Sequence, residues 1–265
     1  MQNYKDNQQL SDENSILTLS ILSVIGDRDD QQDSFGYTLK NDEAIIVVCD
    51  GMGGHQGGST ASSLAVSSLL SDYERAYPAP LPEQNLIRSV KDADRKIASL
   101  TGADGEPLNA GSTCVALMIR DDRLYWCSVG DSRAYLLRDG EFVQLTQDQN
   151  YRTVLDERLS AGIITPAEYR EEEKRGDALI SYLGIGNLSL IDYSKSPLTL
   201  ARGDRIIIST DGLYKLVPDE EMQRVIENFR KSAEALQALD MKAGKASKLL
   251  DRPRDNMTVA LIAIK

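Results

Sequence analysis

Four aspartates stand at the ends of apolar runs: Asp50 after AIIVVC, Asp131 after LYWCSVG, Asp211 after RIIIST, and Asp255 before NMTVALIAI. The end of a strand on a rigid sheet holds a side chain at a fixed geometry. One such Asp alone reads as a turn former. Four of them, flanked by Gly, Ser or Asn in DGMGG, GDS, TDG and DN, point to a shared site. Carboxylates gathered together repel one another, by about 4 kcal/mol for two unit charges ~4 Å apart at an effective dielectric near 20. Divalent cations are the natural remedy. Oxygen ligands without paired His or Cys select Mg²⁺ or Mn²⁺ over Zn²⁺, and two such ions roughly 3.5–4 Å apart activate a water between them for in-line attack on phosphorus.

Three further positions could join that chemistry. The glycines of DGMGGHQGG let the main chain come close to whatever occupies the site, so the Gly51 carbonyl could itself be a ligand. Arg28, just ahead of the acidic segment that ends at Asp33, could clamp phosphate oxygens through its guanidinium fork, or form a surface ion pair with Asp27 or Asp29. His55 is the only histidine. Titrating near pH 6.5 when unperturbed, it could protonate a departing serine oxygen, or be structural.

These residues need strands to hold them, and the apolar pattern supplies them. Residues 17–25 read as a strand, and 34–39 with 44–49 as a hairpin turning at Lys40, Asn41 and Asp42. Helical spacing runs over 58–77 and 83–100, separated by Pro78, Pro80 and Pro82. Strands return at 112–119, 123–129, 133–137 and 142–145, then at 188–193, 205–209 and 257–264, with helices at 218–230 and 233–248. The stretch 151–186 is charged and only intermittently apolar, which predicts irregular helix and loop over a sheet edge, a flap. Strands and helices come in blocks and do not alternate singly, so the expected class is α+β, with a polar arm at 1–16 and one domain over 17–265.

Composition narrows the function. Forty-one acidic against thirty basic residues give a net charge of −11, which repels nucleic acid and anionic lipid, and no local basic patch offsets it. No apolar run approaches the roughly 18 residues needed to cross a bilayer, and the polar start lacks signal-peptide features, so the expected location is cytoplasmic. Cys49, Cys114 and Cys127 are odd in number and lie in strand-like surroundings, which suits reduced, buried thiols.

The segments GDRDDQQD, VVCDGMGGHQGG, AGST, SVGDSRAYLLRDGEFVQLTQD, SAGIIT, LARGDRIIISTDGL and RDNMTVALI occur in this order and resemble the motifs of bacterial metal-dependent protein phosphatases of the 2C type, the PPM family. The resemblance covers residues from about 17 to 265. It implies a four-layer αββα sandwich, two antiparallel sheets flanked by helix pairs, with two Mn²⁺ or Mg²⁺ ions at one end. In that light Asp50 matches the carboxylate bridging both ions, Gly51 adds its carbonyl, and Asp211 and Asp255 match ligands of the first. Asp33 and Gln32 lie where acidic groups approach the second, Asp131 matches the ligand of a weaker third, and Arg28 matches the phosphate-binding arginine. The implied partners are phosphorylated proteins, a serine/threonine kinase and its targets among them, with the enzyme a monomer. Gln31, Gln149, Asn150 and the segment LISYLG depart from the family's usual residues, and eukaryotic relatives place their catalytic His where Met52 stands.

Three other readings compete. CSVGDSR has the Cys-x2-Gly-x2-Arg form of cysteine phosphatases, with Cys127 as nucleophile and Arg133 on phosphate, but it lies in a strand, with Asp131 in the would-be anion cradle. Cys114 and Arg120 share that spacing around VALMI, which offers no cradle. A pseudophosphatase acting as an interaction module would be expected to lack the metal aspartates. A two-metal nuclease would need a basic stripe.

Overall fold

A computed structural model describes residues 7–54, 57–78 and 81–265. In chain order its strands are β1 Gln8–Glu13, β2 Leu17–Val24, β3 Asp33–Leu39, β4 Glu43–Gly53, β5 Ala110–Ser112, β6 Cys114–Arg120, β7 Arg123–Val129, β8 Arg133–Arg138, β9 Glu141–Gln144, β10 Asp192–Tyr193, β11 Leu198–Thr199, β12 Arg205–Ser209 and β13 Met257–Ile264. The helices are α1 Gly57–Ala76, α2 Pro82–Ala98, α3 Tyr151–Ser160, α4 Pro166–Glu172, α5 Asp211–Tyr214, α6 Asp219–Asn228 and α7 Ser232–Leu250. Two antiparallel sheets result. One runs β1-β2-β13-β12-β8-β9, the other β10-β7-β6-β4-β3, with β11 on β7 and β5 on β4.

The apolar runs follow from burial on both faces. In β4, Ile46 and Val48 point between the sheets, while Ile45, Val47 and Cys49 meet α1 and α2. In β12, Ile206 and Ile208 face the inter-sheet core and Ile207 faces the opposite helices. β13 repeats the scheme, with Ala260 and Ile262 inward and Val259 and Leu261 against the side where α6 and α7 pack. Three apolar layers therefore separate four structural layers, the αββα arrangement expected from the sequence.

Two local expectations need correction. The polar arm 1–16 contains a strand: β1 pairs with β2 from Gln8↔Ser23 to Glu13↔Thr18. It is held by main-chain bonds and only Leu10 packs on the core, so it has no alternating apolar signature, and its charged face suits an exposed edge. The expected strand 188–193 shrinks to β10. Its approach is a loop because the buried Asp94 carboxylate on α2 accepts the backbone N–H groups of Gly184, Gly186 and Leu188 at 2.8, 3.0 and 3.2 Å. Amides held by a side chain are not offered to a ladder.

The segment 151–186 contains α3, α4 and one 3-10 turn at Glu173–Arg175. Asn150 caps α3 through Thr153 N–H, and Thr165 with Glu168 forms a reciprocal capping box on α4. Bonds from Tyr151 N to Ala178 O and from Ile180 N to Gln149 O, 2.8 and 2.9 Å, fold its far end back toward the sheet. Among the described residues no helix is long and apolar enough to cross a membrane.

Candidate active site

The strand-end aspartates converge. A cleft of about 530 Å³ is lined by Asp50, Asp131, Asp211 and Asp255, with Asp29, Asp30 and Asp177 adding charge and, among the described residues, Arg28 and Lys215 opposing it. Asp50 comes from β4, Asp131 from the turn between β7 and β8, Asp211 from the first turn of α5 after β12, and Asp255 from the approach to β13. Each sheet thus supplies part of the wall. Asp33 opens β3 directly opposite Asp50 in the β3–β4 register and is buried behind it.

The support beneath the carboxylates is a set of hydroxyls. Thr113 Oγ1 accepts the Asp50 N–H at 2.9 Å and shares a hydrogen bond with Ser132 at 2.7 Å. Thr210 Oγ1 donates to Asp33 Oδ2 at 2.9 Å and accepts the Thr258 N–H at 3.0 Å. The other oxygen, Asp33 Oδ1, is buried with no hydrogen-bond partner. Burial and its acidic neighbours push the Asp33 carboxyl up to about 7, against the lowering effect of the Thr210 and Thr258 bonds. Asp50 is raised well above the ordinary carboxylate range by burial, then by Asp33, Asp211 and Asp131. Asp131 rises to about 6, through burial and then Asp211. A pocket that disfavours its own ionised carboxylates is one that a cation would stabilise.

That is the test of fit for Mg²⁺ or Mn²⁺, and the donor chemistry passes it. An orphaned buried carboxylate oxygen, raised carboxyl pKa values and oxygen-only donors match a hard divalent ion. Among the described residues no three Asp, Glu, His or Cys side chains make a complete metal-holding group. Mg²⁺-like ions keep several waters and take one or two carboxylates each, so a shared centre does not require such a group. Two basic side chains meanwhile lie against the cleft carboxylates. Arg28 Nη2 donates to Asp255 Oδ2 at 2.6 Å, and Lys215 Nζ donates to Asp211 Oδ2 at 2.7 Å. Arg28 therefore pairs with Asp255, beside which its loop packs, and its side chain remains 58% exposed.

Close backbone approach, anticipated for the glycines, is present at Gly51. A Cβ there would meet the carbonyl oxygens of Gly58 and Gln32 well inside van der Waals contact. His55 lies outside the described residues. The cysteine alternative fails on burial: Cys127 is fully buried in β7, which pushes its thiol well above the usual range, and Arg133 is engaged by Asp148 at 2.7–3.2 Å and stacks on Tyr214. All three cysteines are free and buried.

The family model for protein phosphatase 2C matches residues 23–249. The chain belongs to the protein phosphatase 2C family. It is 28% identical over 230 residues to the serine/threonine phosphatase stp of Listeria monocytogenes, covering 85% of this chain and 86% of that one. The S. agalactiae serine/threonine phosphatase structure superposes with a TM-score of 0.80 at 28% identity, over 94% of this chain and all of that one. The catalytic domain of PstP, solved in complex with two manganese ions, superposes with a TM-score of 0.74 at 26% identity, over 94% of this chain and 98% of that one.

Within this phosphatase 2C fold, the departures noted in the sequence have structural work. Gln149 is buried, and its side chain accepts the Gly130 N–H at 3.0 Å and reaches Ser128 O at 3.3 Å, which props the turn carrying Asp131. Asn150 is the α3 cap. Gln31 bridges Ser23 Oγ and the Asp33 N–H at 3.1 and 3.0 Å. In LISYLG, Leu183 pairs with Ser112 beside β4.

Sequence reasoning missed Asn256, Lys215, Asp177 and Thr210. In the sequence Asn256 stands out only as a neighbour of Asp255, yet its side chain holds the Arg28 loop. Oδ1 accepts the Gln32 N–H at 2.8 Å, and Nδ2 donates to Ile25 O at 2.8 Å and Asp30 O at 3.1 Å. Asn256→Ala should destabilise the protein by roughly 2–3 kcal/mol. It should also raise KM for a phosphorylated substrate more than it lowers kcat, because Arg28 loses its anchored loop. Thermal melts and steady-state kinetics check both parts, and a KM unchanged from wild type would detach Arg28 from substrate binding.

Proposed function

We propose that this protein hydrolyses phosphoserine and phosphothreonine in other proteins by direct attack of water on phosphorus, with no phosphoenzyme intermediate. The observation that carries the reading is the convergence of Asp50, Asp131, Asp211 and Asp255 from two sheets on one cleft beside Arg28. Two Mn²⁺ or Mg²⁺ ions, held by Asp50, the Gly51 carbonyl, Asp211 and Asp255 with Asp33 and Gln32 close by, would activate the bridging water and offset charge on the phosphoryl oxygens. Asp131 would contribute to a weaker third site.

The chain's own residues do the rest. Arg28, exposed and loop-borne, exchanges its bond with Asp255 for a bidentate contact with phosphate oxygens. Thr113 and Ser132 fix the main chain at Asp50, so the central carboxylate does not drift when the substrate arrives. The acidic rim formed by Asp29, Asp30 and Asp177 leaves a substrate two ways to be attracted, through basic residues flanking its phosphorylated site or through the cations themselves. A cytoplasmic, monomeric enzyme acting on a kinase and its targets is the setting we infer. No observation favours an inactive interaction module, and the four strand-end aspartates Asp50, Asp131, Asp211 and Asp255 lining one cleft support the active reading.

Hydrolysis of p-nitrophenyl phosphate and of a phosphothreonine peptide across a Mn²⁺ titration, with chelator and thiol alkylator in parallel, tests this. Activity should need metal, vanish with chelator and survive alkylation. Activity that survives chelation, or its absence under every condition, would overturn the reading.

A further inference from the structure

Neither the strand-end pattern nor phosphate binding explains Lys215, which lines the cleft. It lies just past α5, four residues after Asp211, where helical geometry alone would allow an ion pair with solvent on all other sides. Its environment is different. The Nζ atom lies 2.7 Å from Asp211 Oδ2 and 3.3 Å from Asp177 Oδ2, and only 37% of the side chain is exposed. Asp211 belongs to the floor of the cleft, while Asp177 belongs to the segment 151–186.

The link continues into that segment. Asp177 Oδ1 takes Arg152 Nη2 at 3.1 Å, and Arg152 Nη1 donates to Glu173 at 2.7 Å. The Arg152 N–H also donates to Gly176 O at 2.8 Å. A chain of alternating charges, Asp211, Lys215, Asp177, Arg152 and Glu173, thus connects a candidate metal carboxylate to the flap. Lys215 is its only member that touches both parts. Burial disfavours the Lys215 ammonium, but Asp211, Asp177 and Asp131 together more than offset this and keep it charged.

We propose that Lys215 is a positioning residue that latches the flap to Asp211, and that a divalent ion arriving at Asp211 displaces it and loosens the flap. This rests on the phosphatase reading of the same cleft. One Asp211 oxygen does not serve an ammonium and a metal ion at full strength together, because the two cations repel at such range. Metal occupancy and flap order are therefore linked, and the linkage is reciprocal: whatever holds the flap down weakens the ion. Substrate entry, which needs both an occupied centre and an accessible cleft, would then be prepared by a single event.

The test uses the intact protein with Mn²⁺ as the only ligand. Calorimetric titration should show the Mn²⁺ event that depends on Asp211, identified as the one lost in Asp211→Asn, tightened roughly tenfold in Lys215→Met, which keeps the stem and removes the charge. Lys215→Arg should behave as wild type, and Asp177→Asn, which frees the flap but leaves Lys215 on Asp211, should bind Mn²⁺ more tightly than wild type and less tightly than Lys215→Met. Hydrogen exchange supplies a readout independent of affinity. In wild type, Mn²⁺ should speed exchange of the amides of residues 176–180; in Lys215→Met and Asp177→Asn those amides should already exchange fast without metal and respond little to it. Mn²⁺ affinity in Lys215→Met equal to or weaker than wild type, or a wild-type flap indifferent to Mn²⁺, would overturn the latch while leaving the metal centre standing. A wild-type protein that binds no Mn²⁺ would remove both.

Discussion

Asp50→Asn should lose at least about 10³-fold in turnover and, with metal absent, melt at a higher temperature than the wild-type protein. The two halves have one cause. Asp50 faces Asp33 across the β3–β4 ladder and shares the cleft with Asp131, Asp211 and Asp255, so its charge is held where four others oppose it. Replacing one oxygen by an amide removes that repulsion, which should stabilise the metal-free fold by roughly 1–2 kcal/mol and raise Tm by about 2–6 °C. The same change removes the carboxylate proposed to be shared between two ions. Added Mn²⁺ should then raise the wild-type Tm and leave Asp50→Asn nearly unmoved. Turnover at the wild-type level would exclude Asp50 from the chemistry. A lower metal-free Tm would mean that its charge is satisfied within the fold.

Gly51→Ala should fail for a different reason. The added methyl would press on the main-chain carbonyls of Gly58, at the start of α1, and Gln32, on the Arg28 loop, and neither is the movable end of a side chain. The Gly51 N–H also donates to Gln32 O at 3.1 Å, so the crowding falls on a bond that closes the site. A loss of about 3 kcal/mol or more is expected, against less than ~1 kcal/mol for an exposed glycine such as Gly140 replaced by Asn, which tolerates that turn's left-handed backbone. Urea denaturation of the two variants decides it. A Gly51→Ala protein as stable as wild type would show that α1 and the Arg28 loop can shift apart at little expense.

What could be read from residues alone was what a strand announces about itself. AIIVVC, RIIIST and MTVALIAI are apolar on both faces, so a buried strand followed or preceded by Asp is visible without knowing its neighbours. The edge strand β1 is not visible in that way, because its stabilisation is main-chain pairing with β2 and its side chains are mostly polar. The loop at 184–188 hid for the complementary reason: Asp94, far away in the chain, takes the amides that a strand would have used. The cleft followed the same division. Its carboxylates were legible as strand ends, whereas Asn256 and Lys215 act through partners distant along the chain, Ile25 and Asp30 for one and Asp177 for the other. His55, which its residue type leaves open as an acid or a structural side chain, lies outside the described residues.

β13 lies in the interior of its sheet, with β2 on one side in the register Met257↔Val24 and β12 on the other in the register Ser209↔Val259. The two strands it joins are made long before it during synthesis. Until residues 257–264 have left the ribosome, β2 and β12 each present an open, apolar edge, and the wall that bears Asp255 does not exist. The fold therefore completes its interior and its cleft in one late step, and a growing chain that stops short of β13 is at once without a site and adhesive along two strands.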